Sequence, residues 1–151
     1  MSRKRCIRKH YAKVDPIALA ISGATISSAA DLDKLRMREL LAIDAFKNRK
    51  ATPADFRDLC DLLNLCQTMA EMGIGPEALE SCRKTQAALI RAKDQLEETG
   101  SMGFSATDYV TAKEMYDYHD TQRLAVDRST YERAIARNRI RSAHPDVKEL
   151  V

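Results

Sequence analysis

Tyr116-Asp117-Tyr118-His119-Asp120 is the stretch of this sequence with most potential for chemistry. Metal-dependent hydrolases use an adjacent His and Asp to hold an ion, but they draw further His and Asp ligands from elsewhere in the chain. Only His10 and His144 remain here, one near each terminus. Neighbours on a helix also project about 100° apart, so His119 and Asp120 cannot chelate one ion side by side. His119 shares a helical stripe with Ala112, Met115 and Val126, which predicts a buried, hydrogen-bonded imidazole. Tyr116 and Tyr118, with Tyr109, place aromatic bodies with polar tips on the same helix. They are candidates for a recognition patch, with packing as the competing role.

Other chemistry finds little material. Cys6, Cys60, Cys66 and Cys82 lack metal-ligand spacing, and Cys60 and Cys66 would lie about 120° apart on one helix. They read as small buried hydrophobes in a reducing compartment, with Cys6 in a basic arm. Met72-Gly73-Ile74-Gly75-Pro76 lacks the Lys-Ser/Thr of a phosphate loop, and Pro76 removes an amide donor. No GxSxG, HExxH or EF-hand pattern occurs. The expectation is a non-enzymatic chain with no catalytic residue, metal or cofactor.

The elements that would position these residues are helices. Four Pro and five Gly in 151 residues leave few breaks, and Leu, Ala, Arg, Glu and Asp are abundant. A hydroxyl followed three residues later by a carboxylate marks helix starts at Ser28–Asp31, Thr52–Asp55, Ser105–Asp108 and Ser129–Glu132. Pro53 suits a first helical position, and Gly75-Pro76-Glu77 offers a fifth start. Gly73, Gly75 and Gly100 supply stops. The predicted helices are 29–49, 53–72, 76–99, 106–126 and 129–142. Phe56, Leu59, Cys60, Leu63, Cys66 and Ala70 make the second the most amphipathic. Short connections imply antiparallel neighbours. The fold class expected is all-α, an antiparallel bundle of about five helices with a basic N-terminal arm. Residues 1–14 are expected to be the flexible arm, 15–145 one helical domain, and 146–151 a tail. Asp15-Pro16 could open a further short helix that Gly23 ends.

Charge is the sequence's main statement about partners. Residues 1–13 hold Arg3, Lys4, Arg5, Arg8, Lys9 and Lys13 with no acid, and residues 128–151 hold six basic and three acidic side chains. In a chain of net charge +3 the remainder is therefore acidic. Arg133, Arg137 and Arg141 recur every four residues on the last helix, with Arg139 nearby, while Tyr131, Ala134, Ile135 and Asn138 take its other side. Arginine forks suit phosphates and carboxylates, and the arm could track a nucleic-acid backbone by releasing counterions. Solvated faces that maintain solubility are the competing explanation. No apolar run approaches the length that spans a bilayer, about 20 residues. Pro16 to Ile26 after the basic start lacks a clear leader cleavage site, so no membrane and a cytoplasmic location are expected. Thr85, Gln86 and Gln122 interrupt the third and fourth apolar stripes, which leaves room for a homodimer.

The opening KRCIRKHYAKVDPIALAISG is similar to the start of small proteins encoded by temperate phages and prophages of proteobacteria, of the KRY-x-PK-x-V…DP-x-A…G type. Lys50-Ala51-Thr52, Ala54-Asp55, Leu63-Asn64-Leu65 and Gly73-Ile74-Gly75 resemble their AT-x-ADI…ALN-x-A…GIG segment, and Tyr118-His119-Asp120-Thr121-Gln122-Arg123-Leu124 resembles their HDAQL stretch. The order is preserved over most of the chain. It departs where Arg8-Lys9-His10-Tyr11 replaces the usual proline, and again at the C-terminus. The resemblance implies a phage-encoded protein working in the bacterial cytoplasm. The function expected is a binder of a host protein or effector complex, an inhibitor of host defence such as CRISPR among such roles. The alternative is a nucleic-acid-binding phage regulator. The residues expected to contact a partner are Arg3, Lys4, Arg5, Arg8, Lys9, Arg133, Arg137, Arg139, Arg141, Tyr116 and Tyr118.

Overall fold

The computed structural model describes residues 29–143. The expected arm, the short helix after Asp15-Pro16, the C-terminal tail and the candidates Arg3, Lys4, Arg5, Arg8 and Lys9 lie outside those residues. The described residues form five helices and no sheet: α1 (Ala29–Lys47), α2 (Pro53–Glu71), α3 (Ala78–Thr99), α4 (Ala106–Ala125) and α5 (Arg128–Ser142). The fold is all-α, as expected, and each helix falls close to its predicted range.

Local chemistry sets most of the boundaries. Thr52 Oγ1 accepts the amide of Asp55 while the Asp55 carboxylate accepts the Thr52 amide at 2.8 Å, a reciprocal cap followed by Pro53. Ser105 Oγ accepts the Asp108 amide and starts α4. At the end of α2, Gly73 takes φ +85°, its amide donates to Ala70 O, and the Ile74 amide donates to Met69 O. That pair of bonds closes a left-handed helix stop. Gly100, at φ +77°, ends α3.

Three boundaries differ from expectation. Asp127, not Ser129, caps α5 by accepting the Thr130 amide at 2.7 Å, and Glu132 pairs with Arg128 instead. An aspartate two residues upstream presents the stronger, charged acceptor. α3 starts at Ala78, two residues beyond Pro76, with no side-chain cap from Glu77. α1 stops at Lys47 because Arg49 turns left-handed at φ +57°, with its amide on Phe46 O and that of Lys50 on Ala45 O. This is the same stop that Gly73 makes, here without a glycine to announce it.

Ion pairs and ring contacts give the helix directions. Lys47 lies over the Tyr109 ring while Arg36 reaches Asp120, so α1 and α4 run antiparallel. Ser81–Glu114 and Arg91–Asp108 do the same for α3 and α4. α1 and α3 each pack against both α2 and α4, α2 meets α4 across the diagonal, and α5 lies on α2. The main core joins Ile43 and Phe46 of α1, the α2 stripe, Leu89 of α3 and Met115 of α4. One end is closed by aromatic packing: Phe46 stacks on Phe104 at 4.4 Å, and the Phe104 amide donates to Phe46 O.

That closure draws the 48–52 and 100–105 linkers together, pairing Ala51 with Met102. A Cβ on Gly103 would stand 3.1 Å from Arg49 Cα and closer still to its side chain. Replacement of Gly103 by Ala is expected to cost about 1–3 kcal/mol, because the linker backbones must separate. Urea unfolding followed by circular dichroism checks this, and an unchanged midpoint would refute the close approach.

Candidate functional site

The side chains with chemical potential converge on the C-terminal half of α4, and most are committed to holding helices together. Arg123 is 1% exposed, yet carries a charge. Its guanidinium makes two hydrogen bonds to the Glu39 carboxylate on α1, at 2.9 and 2.8 Å, and a third to Asp120 at 3.1 Å. Asp120 in turn accepts both Arg36 donors at 2.8 Å. Burial opposes the charge on Arg123, but the bonds and field of Glu39, with Asp120 added, hold its pKa above the ordinary value. Burial lifts the Glu39 carboxyl above the usual range, partly offset by Arg123. Burial also acts upward on Asp120, but its bond to Arg36 and the charge of Arg123 outweigh it and keep this carboxyl low.

His119 faces another way. Gln122 Nε2 donates to Cys66 O and Ile74 O, so Gln122 Oε1 is free to accept from His119 Nδ1 at 3.1 Å. The imidazole is fully buried, its Nε2 has no partner, and the Tyr131 ring of α5 lies 6.4 Å away. Burial, and then the charge of Arg123, push the His119 pKa down to about 4. The buried, hydrogen-bonded imidazole matches the sequence reading. His119 and Asp120 point to different partners and present no common ligand position. Among the described residues no three His, Cys, Asp or Glu side chains gather as metal ligands. Cys60, Cys66 and Cys82 are buried free thiols, and burial pushes Cys60 up to about 11. Cys6 lies outside the described residues.

The partner candidates separate by exposure. Tyr116 is buried in the main core with the Lys113 ammonium 5.2 Å and the Arg123 guanidinium 6.0 Å from its ring centre, so it is not part of an open patch. Tyr118 is half-buried against the same core. On α5, Arg133, Arg137 and Arg139 are exposed, and Arg133 donates only to Thr130 Oγ1. Arg141 departs from the expected common face. It lies with Tyr131, Ala134 and Asn138 on the packed side, bonded to the Glu71 carboxylate at 2.9 Å and Asn64 O at 3.2 Å. Each step of four residues turns the row by about 40°, so Arg141, last of the three, comes round to the α2 side, where Glu71 holds it. Thr85 and Gln122 are buried within the bundle and Gln86 is exposed, so neither stripe is left open by them.

Sequence reasoning missed Arg123, Glu39 and Arg36. A signal was present: Arg123 continues the inward spacing of Met115, Tyr116 and His119, and Arg36/Glu39 carry opposite charges three residues apart, as Asp120/Arg123 do. No protein-family model, curated protein or solved structure matches the chain.

Two outcomes follow from this network. Arg123→Met strands the buried Glu39 carboxylate and should cost about 3–5 kcal/mol. Glu39→Leu combined with Arg123→Met should cost less than Arg123→Met alone, a non-additivity that a double-mutant cycle in urea measures. Additive losses would mean the two charges act independently. For His119, the folded pKa of about 4 lies below the ordinary 6.5. The unfolded chain therefore takes up the proton first, and stability falls as pH drops from about 6.5 to 4, by up to about 3 kcal/mol. His119→Asn, whose amide can donate as Nδ1 does, should flatten that slope. Equal slopes for both proteins would remove His119 as the cause.

Proposed function

We propose that this chain is a non-enzymatic binding protein of phage origin that modulates a host machine in the bacterial cytoplasm, inhibition of a defence system such as CRISPR being one such role. The observation that supports this reading is the division of labour among polar groups. His119, Asp120, Arg123, Gln122 and Glu39 are spent on internal bonds. Exposed arginines on α5 and the exposed Met37 and Leu41 on α1 are left to the outer surface. A body whose polar side chains mostly serve internal bonds, with an outer surface varied in charge and apolarity, suits recognition rather than turnover. Its sequence resemblance to prophage proteins supplies the setting.

The exposed Arg133, Arg137 and Arg139 favour a second reading, a regulator that binds nucleic acid. Among the described residues no helix is long and apolar enough to cross a membrane.

The test is expression of the full chain in bacteria carrying an active CRISPR system, challenged with a targeted phage. Restored plaque formation together with co-purification of an effector subunit is the expected result. Continued restriction across several systems, with no host complex retained, would count against the proposal. For the second reading, anisotropy of a short random-sequence duplex should show binding that weakens steeply with salt. Replacing Arg133, Arg137 and Arg139 by Ala should weaken it and lower its salt dependence.

A further inference from the structure

α1 carries a second ordered face opposite its buried one. Glu39, Ala42, Ile43 and Phe46 point into the bundle. On the far side Ala30, Lys34, Met37, Leu41, Asp44 and Asn48 follow one another at alternating spacings of four and three residues, and all are exposed. That alternation lines up one face along which a second helix can lie lengthwise. Its two central members, Met37 and Leu41, are each 59% exposed, a large apolar pair that the chain itself leaves in water.

The order of residues along this face is complementary to itself under a two-fold rotation. Set against a second α1 running antiparallel, Met37 meets Leu41 of the second copy and Leu41 meets its Met37. Lys34 then meets Asp44 of the second copy, and Asp44 meets its Lys34. An apolar centre is thus flanked on both sides by opposite charges, the self-complementary pattern that an isologous dimer requires. Neither Lys34 nor Asp44 forms an ion pair among the described residues, so both charges are available. A parallel pairing would set Lys34 against Lys34 and Asp44 against Asp44, which like-charge repulsion opposes. Beside the seam, Met37, Leu41 and Asp44 border a groove of about 200 Å³ closed on its other side by Tyr109 and Lys113 of α4, which gives the second helix a shoulder to seat against.

We propose that the outer face of α1 is the self-association surface of this protein, joining two copies through antiparallel α1 helices in the Met37–Leu41, Lys34–Asp44 register. One helix pair with two large apolar side chains from each copy falls short of the roughly 20–30 residues a side of a standard interface, so the dimer is a weak, concentration-dependent one. The surface is independent of α5 and of the arginines on it.

Sedimentation velocity on the full chain, from micromolar to millimolar concentration, tests it. The unaltered chain should shift from monomer to dimer, and Met37→Asp with Leu41→Asp should remain monomeric while keeping its helical circular dichroism. The charge pair supplies the decisive variant. Lys34→Asp alone and Asp44→Lys alone should each weaken the dimer at least about tenfold, because each sets like charges face to face. Lys34→Asp combined with Asp44→Lys should restore it. A chain that stays monomeric throughout overturns the proposal and leaves the face to a different partner. A dimer indifferent to the apolar pair, or a charge swap that fails to rescue, overturns it equally.

Discussion

The buried pair of Arg123 and Glu39 is the constraint on which the arrangement of helices depends. Taking two charges out of water costs several kcal/mol for each ion, and the loss is recovered only when their geometry is good. The guanidinium fork meets both carboxylate oxygens at 2.9 and 2.8 Å, so α1 and α4 can associate in one register and not in its neighbours. A slip of either helix by one residue would turn one charge toward solvent and leave the other unpaired in the core.

The rest of the inner face of α4 extends that logic. Asp120 passes the connection outward to Arg36, and Tyr116 packs its ring beside the Arg123 guanidinium. Gln122 ties α4 to the C-terminal half of α2 and to the loop beyond it through Cys66 O and Ile74 O, and it orients His119. Gly75, at φ +61°, lets that loop approach closely, since a Cβ there would stand 3.2 Å from Gln122 Cγ. The far end of the bundle is held differently, by the stacked rings of Phe46 and Phe104 and the paired linkers. Hydrogen-bonded charges fix alignment at one end, and apolar packing closes the other.

Against this frame α5 is lightly attached. Only Tyr131 and Ala134 are buried on it, within a small apolar cluster that includes Met69, and Arg141 secures its C-terminal turn to Glu71. Its remaining arginines face water. The outer side of α1 is likewise surplus to the core. Change on these surfaces leaves the interior register intact, because neither serves the fold.

The sequence by itself determined the helices. Thr52–Asp55, Ser105–Asp108, Pro53, Gly73 and Gly100 act through bonds to their own neighbours, so their effect is local and readable. The apolar spacing of α2 identified the central helix for the same reason. Two boundaries are not marked in this way: Asp127 competes with Ser129 as a cap and wins, and Arg49 adopts a left-handed turn where no glycine stands. Only the tertiary structure decided the fate of the charged residues. Whether an arginine is buried or solvated depends on an acid supplied from another helix. Glu39 drew Arg123 into the core and Glu71 drew Arg141 against α2, while Arg133, Arg137 and Arg139 met no such acid and stayed in water. Helical spacing fixes the direction in which a side chain leaves its own axis. The partner it meets is set by how the helices pack.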